Sequence, residues 1–428
     1  MTLSWFSIVR LGLVQMCLGA IVVLTTSTLN RLMVVELALP AILPGLLVAL
    51  HYGIQITRPN WGFLSDQGGH RTRWIIGGMA ALAAGALLAS AAIPFFETGF
   101  GLGLVLSIVA YALIGLGVGA SGTSLLALLA TSTAPHRRAA AATITWLMMI
   151  FGIALTAATV GSFLDPYSHA LLLRIVAIVT GGAVLLTSLA VWGIERSVDA
   201  RPEPETPMPF REGLAEIWAE RNARNFTIFV FLSMTAYFMQ ELILEPYAGL
   251  VFAFTPGEST KLSGAQNGGV FVGMLIVGIA ATGFRLGSLR SWIVAGCIGS
   301  AAALTIITII GQSAIPLLVP AVVMLGLFNG MFAVAAIGSM MALASDGREA
   351  REGTRMGLWG AAQAIAAGFG GLLGAAAVDT LRVTLPTSTA FGAVFLIEAT
   401  LFIAAALMAL RIMSPRPRAL GAMAVPGE

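Results

Sequence analysis

Three glutamates and one histidine lie within long apolar stretches of the chain, where an ionisable side chain is costly. Glu241 and Glu245 are four residues apart and so share one face of a helix. Glu398 lies midway along a second apolar stretch, and His51 lies about two turns inside a third. Inside a membrane, each charged side chain costs about 2.5–3.5 kcal/mol. Such residues face the interior of a helix bundle and indicate a proton path, a ligand site or a contact with a partner.

Uncharged polar residues in these stretches complete the candidate ligand or pathway set, which is His51, Gln240, Glu241, Glu245, Asn329 and Glu398. Glu241 is roughly 20 Å from the inner end of its predicted helix. Glu245 precedes Pro246 and approaches the outer surface, so Glu241 is the stronger candidate. The neutral imidazole of His51 could bind a metal, including the magnesium of a chlorin. A hydrogen bond to a neighbouring helix is the alternative.

The sequence contains no recognisable catalytic constellation. We find no Ser/His/Asp grouping, no Walker loop and no D-x-x-x-D repeat of the prenyltransferase type. Cys17 and Cys297 lie inside apolar runs and are expected to pack as small apolar residues, not to bind a metal or form a disulfide. We therefore predict no catalytic residue, no firm cofactor and, apart from His51, no metal ligand.

A chain that carries these groups must be mostly embedded in lipid. Its hydrophobic fraction is 58%, its charged fraction is 10% and its mean hydropathy is +0.92. About 25% of the residues of a soluble domain are charged, and a water-facing surface cannot be built from so few charges. We predict an all-α integral membrane protein whose first partner is membrane lipid, with no nucleic-acid partner.

The apolar runs predict about twelve transmembrane helices, because about 20 apolar residues cross about 30 Å of hydrocarbon. The first run lacks the cleavage pattern of a signal peptide and is expected to remain as a helix. The predicted spans are 11–35, 39–58, 74–96, 101–131, 140–162, 170–194, 226–254, 265–285, 291–311, 315–344, 356–378 and 387–411.

The basic residues indicate the orientation of these spans. With both termini in the cytoplasm, all but four of the 23 lysines and arginines fall in inner segments, as the positive-inside rule requires. The exceptions are Arg31, Arg174, Lys261 and Arg382. An odd number of spans would scramble this distribution, so an even number is predicted.

The polar stretch 195–225 divides the chain into two halves of six spans. Its prolines predict an irregular linker. Apolar residues then recur at helical spacing from Phe210 to Trp218 and favour a short amphipathic helix on the cytoplasmic membrane face. A solvated linker helix is the alternative. The predicted organisation is a bundle at 1–194, the linker, a bundle at 226–412 and a cytoplasmic tail at 413–428.

The loop after the second span resembles a signature of the major facilitator superfamily, G-x-L-x-D-x-x-G-x-R. It reads GFLSDQGGHRTR over residues 62–73. In that superfamily the loop helps to hold one conformational state of the two halves. Gln67 and His70 replace residues that are usually basic, so the charge relay is expected to differ here. A generic basic membrane turn is the alternative. The resemblance implies conformational roles for Arg58, Gly62, Asp66, Gly69, Arg71 and Arg73.

The glycines of 117–122 match G-x-G-x-x-G, the pattern of a dinucleotide-binding turn. They lie inside an apolar run of membrane length, whereas a dinucleotide site needs a strand before it and a helix after it. We expect these glycines, and those of 368–374, to form close-packing faces between helices.

Two longer segments resemble the PucC/LhaA family. They are 49–66, ALHYGIQITRPNWGFLSD, and 239–249, MQELILEPYAG. The family belongs to phototrophic bacteria, and its members are major facilitator relatives proposed to deliver bacteriochlorophyll or to assist assembly of light-harvesting complexes. The resemblance implies the major facilitator fold and bacteriochlorophyll or a precursor as cargo. It also implies antenna polypeptides and pigment-synthesis enzymes as partners, and the inner, intracytoplasmic membrane as location.

Three functions stay open at this point. The first is a pigment-handling assembly factor without turnover. The second is a transporter of a small solute, driven by protons through Glu241 or Glu398. The third is a membrane subunit of bacteriochlorophyll synthase, catalytic or not. Esterification with a prenyl diphosphate needs aspartate clusters in the membrane to bind metal, and this chain has none outside its loops. We therefore expect that it is not itself an enzyme.

Overall fold

The computed structural model describes residues 3–58, 61, 70–134, 137–195, 218–284, 286–313, 315–345 and 352–412. Within these ranges the chain is helical apart from short connections. The main helices are α1 (Trp5–Glu36), α2 (Ile42–Thr57), α3 (Arg71–Ala92), α4 (Phe100–Ser132), α5 (Arg138–Phe163), α6 (His169–Val191), α7 (Arg221–Phe252), α8 (Pro256–Gly278), α9 (Leu289–Ser313), α10 (Leu318–Ser345), α11 (Glu352–Arg382) and α12 (Thr387–Ile412).

Each of the twelve predicted spans coincides with one of these helices. Among the described residues, eleven helices are long and apolar enough to cross a membrane, and α2 is shorter. At 1.5 Å per residue, α2 spans about 24 Å, a little less than the hydrocarbon thickness of about 30 Å. The chain is therefore a multi-pass membrane protein, whose described residues include eleven helices of membrane-spanning length and one shorter apolar helix.

Each half of the chain builds its own hydrophobic core. Residues of α1–α6, joined by Leu242 of α7, form one core, and residues of α7–α12 form the other. In the second core, Phe332 packs edge to face against both Phe229 and Phe402. The halves meet where α2 lies against α11 and where α5 lies against α8. Two packed bundles with seams between them are the arrangement from which a major facilitator protein is built.

Glycines allow several of these helices to approach closely, as predicted for 117–122 and 368–374. A Cβ added to Gly117 would lie 2.5 Å from the backbone nitrogen of Leu82, on α3. A Cβ added to Gly374 would lie 2.8 Å from the carbonyl oxygen of Met239, on α7. Both runs are thus packing faces, and the nucleotide-site interpretation of 117–122 is excluded.

The predicted start of the eighth span was wrong. The span was predicted to begin at residue 265, whereas α8 begins at Pro256. Thr255 and Glu258 form a reciprocal capping box that starts the helix there. The polar residues of this first part are buried in the seam between the halves instead of facing water, which is why polarity misplaced the boundary. They include Ser259, Thr260 and Ser263.

Some predicted features lie outside the described residues. They are most of the amphipathic helix that begins near Phe210, the tail at 413–428, and Gly62, Asp66 and Gly69 of the conformational loop. The exact domain boundaries therefore stay predictions.

Candidate functional site

A polar cavity lies between the two halves of the chain. Four helices line it: α1 and α5 from the first half, α7 and α8 from the second. The lining residues are Val22, Val23, Thr26, Ser27, Ile153, Tyr237, Gln240, Glu241, Leu244, Glu245, Ser263, Gln266 and Asn267. Three predicted site residues, Gln240, Glu241 and Glu245, are thus brought to one place.

The side chains of α7 give the cavity its chemistry. Tyr237, Glu241 and Glu245 recur every four residues, so one stripe of the helix faces the cavity. Gln240 and Glu245 are buried, at 1% and 2% exposure. Within the described part of the chain, neither side-chain atom of Gln240 has a hydrogen-bond partner, nor does either carboxylate oxygen of Glu245 at normal geometry, although Ser263 lies beside it. Such groups are rare in proteins and call for a ligand, a proton or a change of state.

The opposite wall is shaped by an irregular stretch of α1. This helix widens into π-helical turns at Leu24–Thr28 and again at Leu32–Glu36. Thr25 and Thr26 both donate their hydroxyl hydrogens to the carbonyl oxygen of Val22. π-Helical turns often mark functional sites because they shift the side chains that follow onto a new face. In this helix the first π-helical turn contains Thr26 and Ser27, whose hydroxyl side chains line the cavity.

The cavity is small in this conformation. About 30 Å³ is open to water-sized molecules, which is enough for about two water molecules. A chlorin macrocycle does not fit between the halves unless they move apart.

One end of the seam between the halves is closed by hydrogen bonds around the buried side chain of Arg31. The guanidinium donates to the carbonyl oxygen of Phe254 at 2.7 Å and to Ser259 Oγ at 3.4 Å, both in the second half. It also forms an ion pair with Glu36 of its own half. The neighbouring Asn30 donates to the carbonyl oxygen of Leu242 at 2.6 Å.

Two aspartates at the same end each cap a helix of the opposite half. Asp165 accepts hydrogen bonds from the hydroxyl of Thr255 (2.6 Å) and the N–H of Gly257 (3.0 Å), at the start of α8. Asp379 accepts one from the N–H of Ile42 (2.7 Å), at the start of α2. Carboxylates are favoured at helix N-termini, where N–H groups lack helical partners. We call Asn30, Arg31, Asp165 and Asp379, with the groups they contact, the Arg31 seal.

His51 lies apart from the cavity lining, in a hydrogen-bonded chain on α2. Arg58 donates to Gln55 Oε1, so the Gln55 amide nitrogen points to His51 and donates to its Nε2, at 3.0 Å. The proton of the neutral ring is then on Nδ1, which has no partner among the described residues. The ring of Tyr52, next along the helix, packs edge to face against that of His51, with the ring centroids 4.7 Å apart. Binding of a chlorin magnesium by His51 stays a prediction, and Nε2 is already occupied by Gln55.

Asn329 and Glu398 lie in the core of the second half, away from the cavity lining. Both are fully buried. Asn329 Oδ1 accepts a hydrogen bond from Ser300 at 2.8 Å, whereas its Nδ2 and both oxygens of Glu398 have no partner within the described ranges.

The described basic residues of the predicted conformational loop take different positions. Arg71 is buried and donates to the carbonyl oxygen of Ala127 at 3.1 Å and to Thr131, which ties the start of α3 to α4. Arg73 is exposed. The hydrogen bonds of Arg71 described here are within the first half, and the conformational role of the loop stays a prediction.

Sequence reasoning missed several residues of the site. Arg31 was treated only as one of the four basic residues that do not fall in inner segments, and Asp165 was not singled out. Ser263 fell just before the predicted eighth span, 265–285, and Gln266 and Asn267 fell at its start, and none of the three was singled out. A usable signal was present, because Ser259, Ser263 and Gln266 recur at helical spacing after a proline.

Curated relatives resemble the chain over most or all of its length. It is 66% identical over 428 residues to the "Bacteriochlorophyll synthase 44.5 kDa chain" of Rhodobacter capsulatus, covering 100% of both chains. It is 29% identical to "Protein PucC" of Cereibacter sphaeroides, covering 92% of this chain and 88% of that one.

Solved structures share the fold at low sequence identity. The nucleoside transporter NupG superposes with a TM-score of 0.69 at 14% identity, over 95% of this chain and 100% of that one. A peptide transporter POT in complex with alafosfalin gives 0.71 at 15% identity, over 96% of each chain. The fold is therefore that of major facilitator transporters, in line with the prediction. The PUCC protein family matches residues 28–416. On this match and on the full-length relative, the chain belongs to the PucC family.

Proposed function

We propose that this chain is a membrane pigment-handling factor of a phototrophic bacterium, which acts in bacteriochlorophyll biosynthesis or delivery and in assembly of light-harvesting complexes. The observation that carries the proposal is the 66% identity along the whole chain with the Bacteriochlorophyll synthase 44.5 kDa chain. Identity of this level, without gaps in coverage at either end, favours a shared role.

The proposed role is one of handling pigment and not of catalysis. The aspartates of this chain are far apart in the sequence, whereas transfer of a prenyl group from a diphosphate needs clustered carboxylates to hold metal ions. The chain would accompany the pigment-synthesis enzymes and antenna polypeptides as a partner. The closed cavity implies that a macrocycle enters between the halves only after they separate, or binds at their lipid-facing surface.

The proposed location is the intracytoplasmic membrane, with both termini in the cytoplasm. The positive-inside distribution supports this orientation. It places the Arg31 seal on the outer side, so the two halves would separate first from the cytoplasmic side.

Gentle purification of the protein from its native membranes tests the proposed function. We expect a bacteriochlorin absorption band near one pigment per protein, or antenna polypeptides and pigment-synthesis enzymes in the same fraction. A colourless protein without partners, taken from cells that are assembling antenna complexes, would contradict the proposal.

Glu241→Gln is expected to lower antenna accumulation while the protein still inserts into the membrane. The change keeps the shape of the side chain and removes its charge, and a hydrogen bond to a charged group contributes about 1.5–3 kcal/mol. Loss of the lower value weakens an interaction about tenfold. Antenna absorption per cell measures the effect, and an immunoblot of the membrane fraction controls for insertion. Normal antenna levels in this variant would remove Glu241 from the site.

A second candidate is a proton-coupled transporter of a small solute. The polar cavity between two halves of a major facilitator fold favours it, because Glu241 and Glu245 lie where both halves meet. Proton-dependent uptake of a solute into vesicles that hold the purified, colourless protein would support this function over pigment handling.

A further inference from the structure

The cavity between the halves has an unbalanced charge. Its lining contains the carboxylates of Glu241 and Glu245 and, among the described residues that form it, no arginine, lysine or histidine. Arg31, in the seal, acts electrostatically on Glu245. That guanidinium is already bound to Glu36, Phe254 and Ser259. The positive charge of Arg31 is therefore already paired with groups outside the cavity.

The same cavity holds buried acceptors without donors. In the part of the chain that the structure describes, both carboxylate oxygens of Glu245 and the amide oxygen of Gln240 lack a hydrogen bond of normal geometry, although Ser263 lies beside Glu245. Leaving such groups unpaired away from water costs about 1–3 kcal/mol each, and more when they are charged. Removing a carboxylate from water is compensated only by a cation or a proton close by.

A ligand complementary to this cavity can be described from the residues around it. A ligand that balances ionised carboxylates is positive, and one that satisfies the unpaired acceptors carries several N–H donors. The hydroxyls of Thr26, Ser27 and Ser263 and the amides of Gln266 and Asn267 can supply further acceptors. The open volume of about 30 Å³ admits a group of about the size of two waters. A primary ammonium head meets all three requirements.

We propose that the cavity between the halves is an amine site, in which Glu245 and Glu241 bind the primary ammonium group of a small solute. Glu245 is the central residue because it is the more buried of the two and because, among the described residues, neither of its oxygens has a hydrogen bond of normal geometry, although Ser263 lies beside it. Gln240 orients the head through its amide oxygen. The amine site rests on the geometry of the cavity alone and goes beyond the pigment proposal, so either can fail without the other.

Thermal unfolding of the purified full-length protein in lipid nanodiscs tests the amine site, with methylammonium chloride as the probe. A ligand that binds only the folded state raises the melting temperature in a saturable way. We expect such a rise with methylammonium. Tetramethylammonium chloride at equal ionic strength is expected to give none, since it has the charge but lacks N–H donors and is larger.

Variants locate the site. Glu245→Gln is expected to abolish the rise, and Glu241→Gln is expected to shift its midpoint to at least about tenfold higher methylammonium, which corresponds to the loss of one charged hydrogen bond. Glu398→Gln is the matched control, because Glu398 is an equally buried, unpartnered carboxyl of the same half outside the cavity. It should keep the wild-type rise.

Three results would overturn the amine site. The first is a wild-type protein that shows no saturable rise with methylammonium, since the carboxyls would then hold protons only. The second is an equal rise with tetramethylammonium, which would mean that N–H donors are not recognised. The third is an unchanged response in both cavity variants, or a lost response in Glu398→Gln. None of these measurements requires that pigment co-purifies with the protein.

Discussion

Replacing Gly269 with alanine is expected to destabilise the protein by about 1–3 kcal/mol, the usual cost of forcing extra atoms into a packed interior. Gly269 lies on α8 where this helix crosses α10. An added Cβ would be 2.4 Å from the carbonyl oxygen of Val323 and 3.0 Å from the backbone nitrogen of Leu327. Backbone atoms cannot rotate out of the way as a flexible side chain can, so the two helices must separate. Unfolding in sodium dodecyl sulfate, followed by circular dichroism, measures the loss.

The adjacent residue provides a matched control. Gly268 is on the same helix, and a Cβ added there meets no atom within 4 Å. Gly268→Ala should therefore leave stability unchanged or raise it by up to about 1 kcal/mol, because alanine favours a helix more than glycine does. Equal effects of the two changes would show that the close crossing of α8 and α10 is not what limits stability.

Arg31→Gln is expected to open the end of the molecule that the Arg31 seal closes. Glutamine is too short to maintain the contacts with Phe254 and Ser259, and a hydrogen bond from a charged donor contributes about 1.5–3 kcal/mol. Losing one such bond across the seam raises the open population about 10- to 100-fold relative to the closed one.

Distances between spin labels at this end measure the opening. Gly99 and Val383 are suitable positions, one in each half, since a side chain at Gly99 meets open space and Val383 is 84% exposed. The native cysteines, Cys17 and Cys297, are free and buried and would be replaced with alanine. We expect a narrow distance distribution with Arg31 and a second, longer distance with Arg31→Gln.

Arg174→Gln is the control for this experiment. Arg174 is also an arginine of the first half near the same end, but it lies on an exposed face of α6 and not in the seam. Its removal should leave the distances unchanged. If Arg31→Gln also leaves them unchanged, the aspartate caps of α2 and α8 are sufficient to hold the seam, and Arg31 does not control it.

The twelve helices could be predicted because a transmembrane span is specified by its own residues. Each must supply about 20 apolar residues, and each inner loop carries basic residues that mark its side. The prediction failed locally at the start of α8, where polar residues are buried. Ser259 and Ser263 face the other half of the protein instead of water. A polar residue type indicates that the side chain is not exposed to lipid. It does not indicate whether that side chain faces water or another part of the protein.

By itself the sequence determined that Gln240, Glu241 and Glu245 are unusual, because a polar group in an apolar run must be balanced by something. It also determined that Glu241 and Glu245 share a face, since helical spacing is a local property. Only the tertiary structure decided that this stripe of α7 meets Ser27 and Asn267 in a cavity, whereas Glu398, equally anomalous, is enclosed in one core. Spacing along one helix does not say which neighbour that helix faces. The role of Arg31 in closing the seam could be recognised only from the fold, because its partner Phe254 is more than 200 residues away in the sequence.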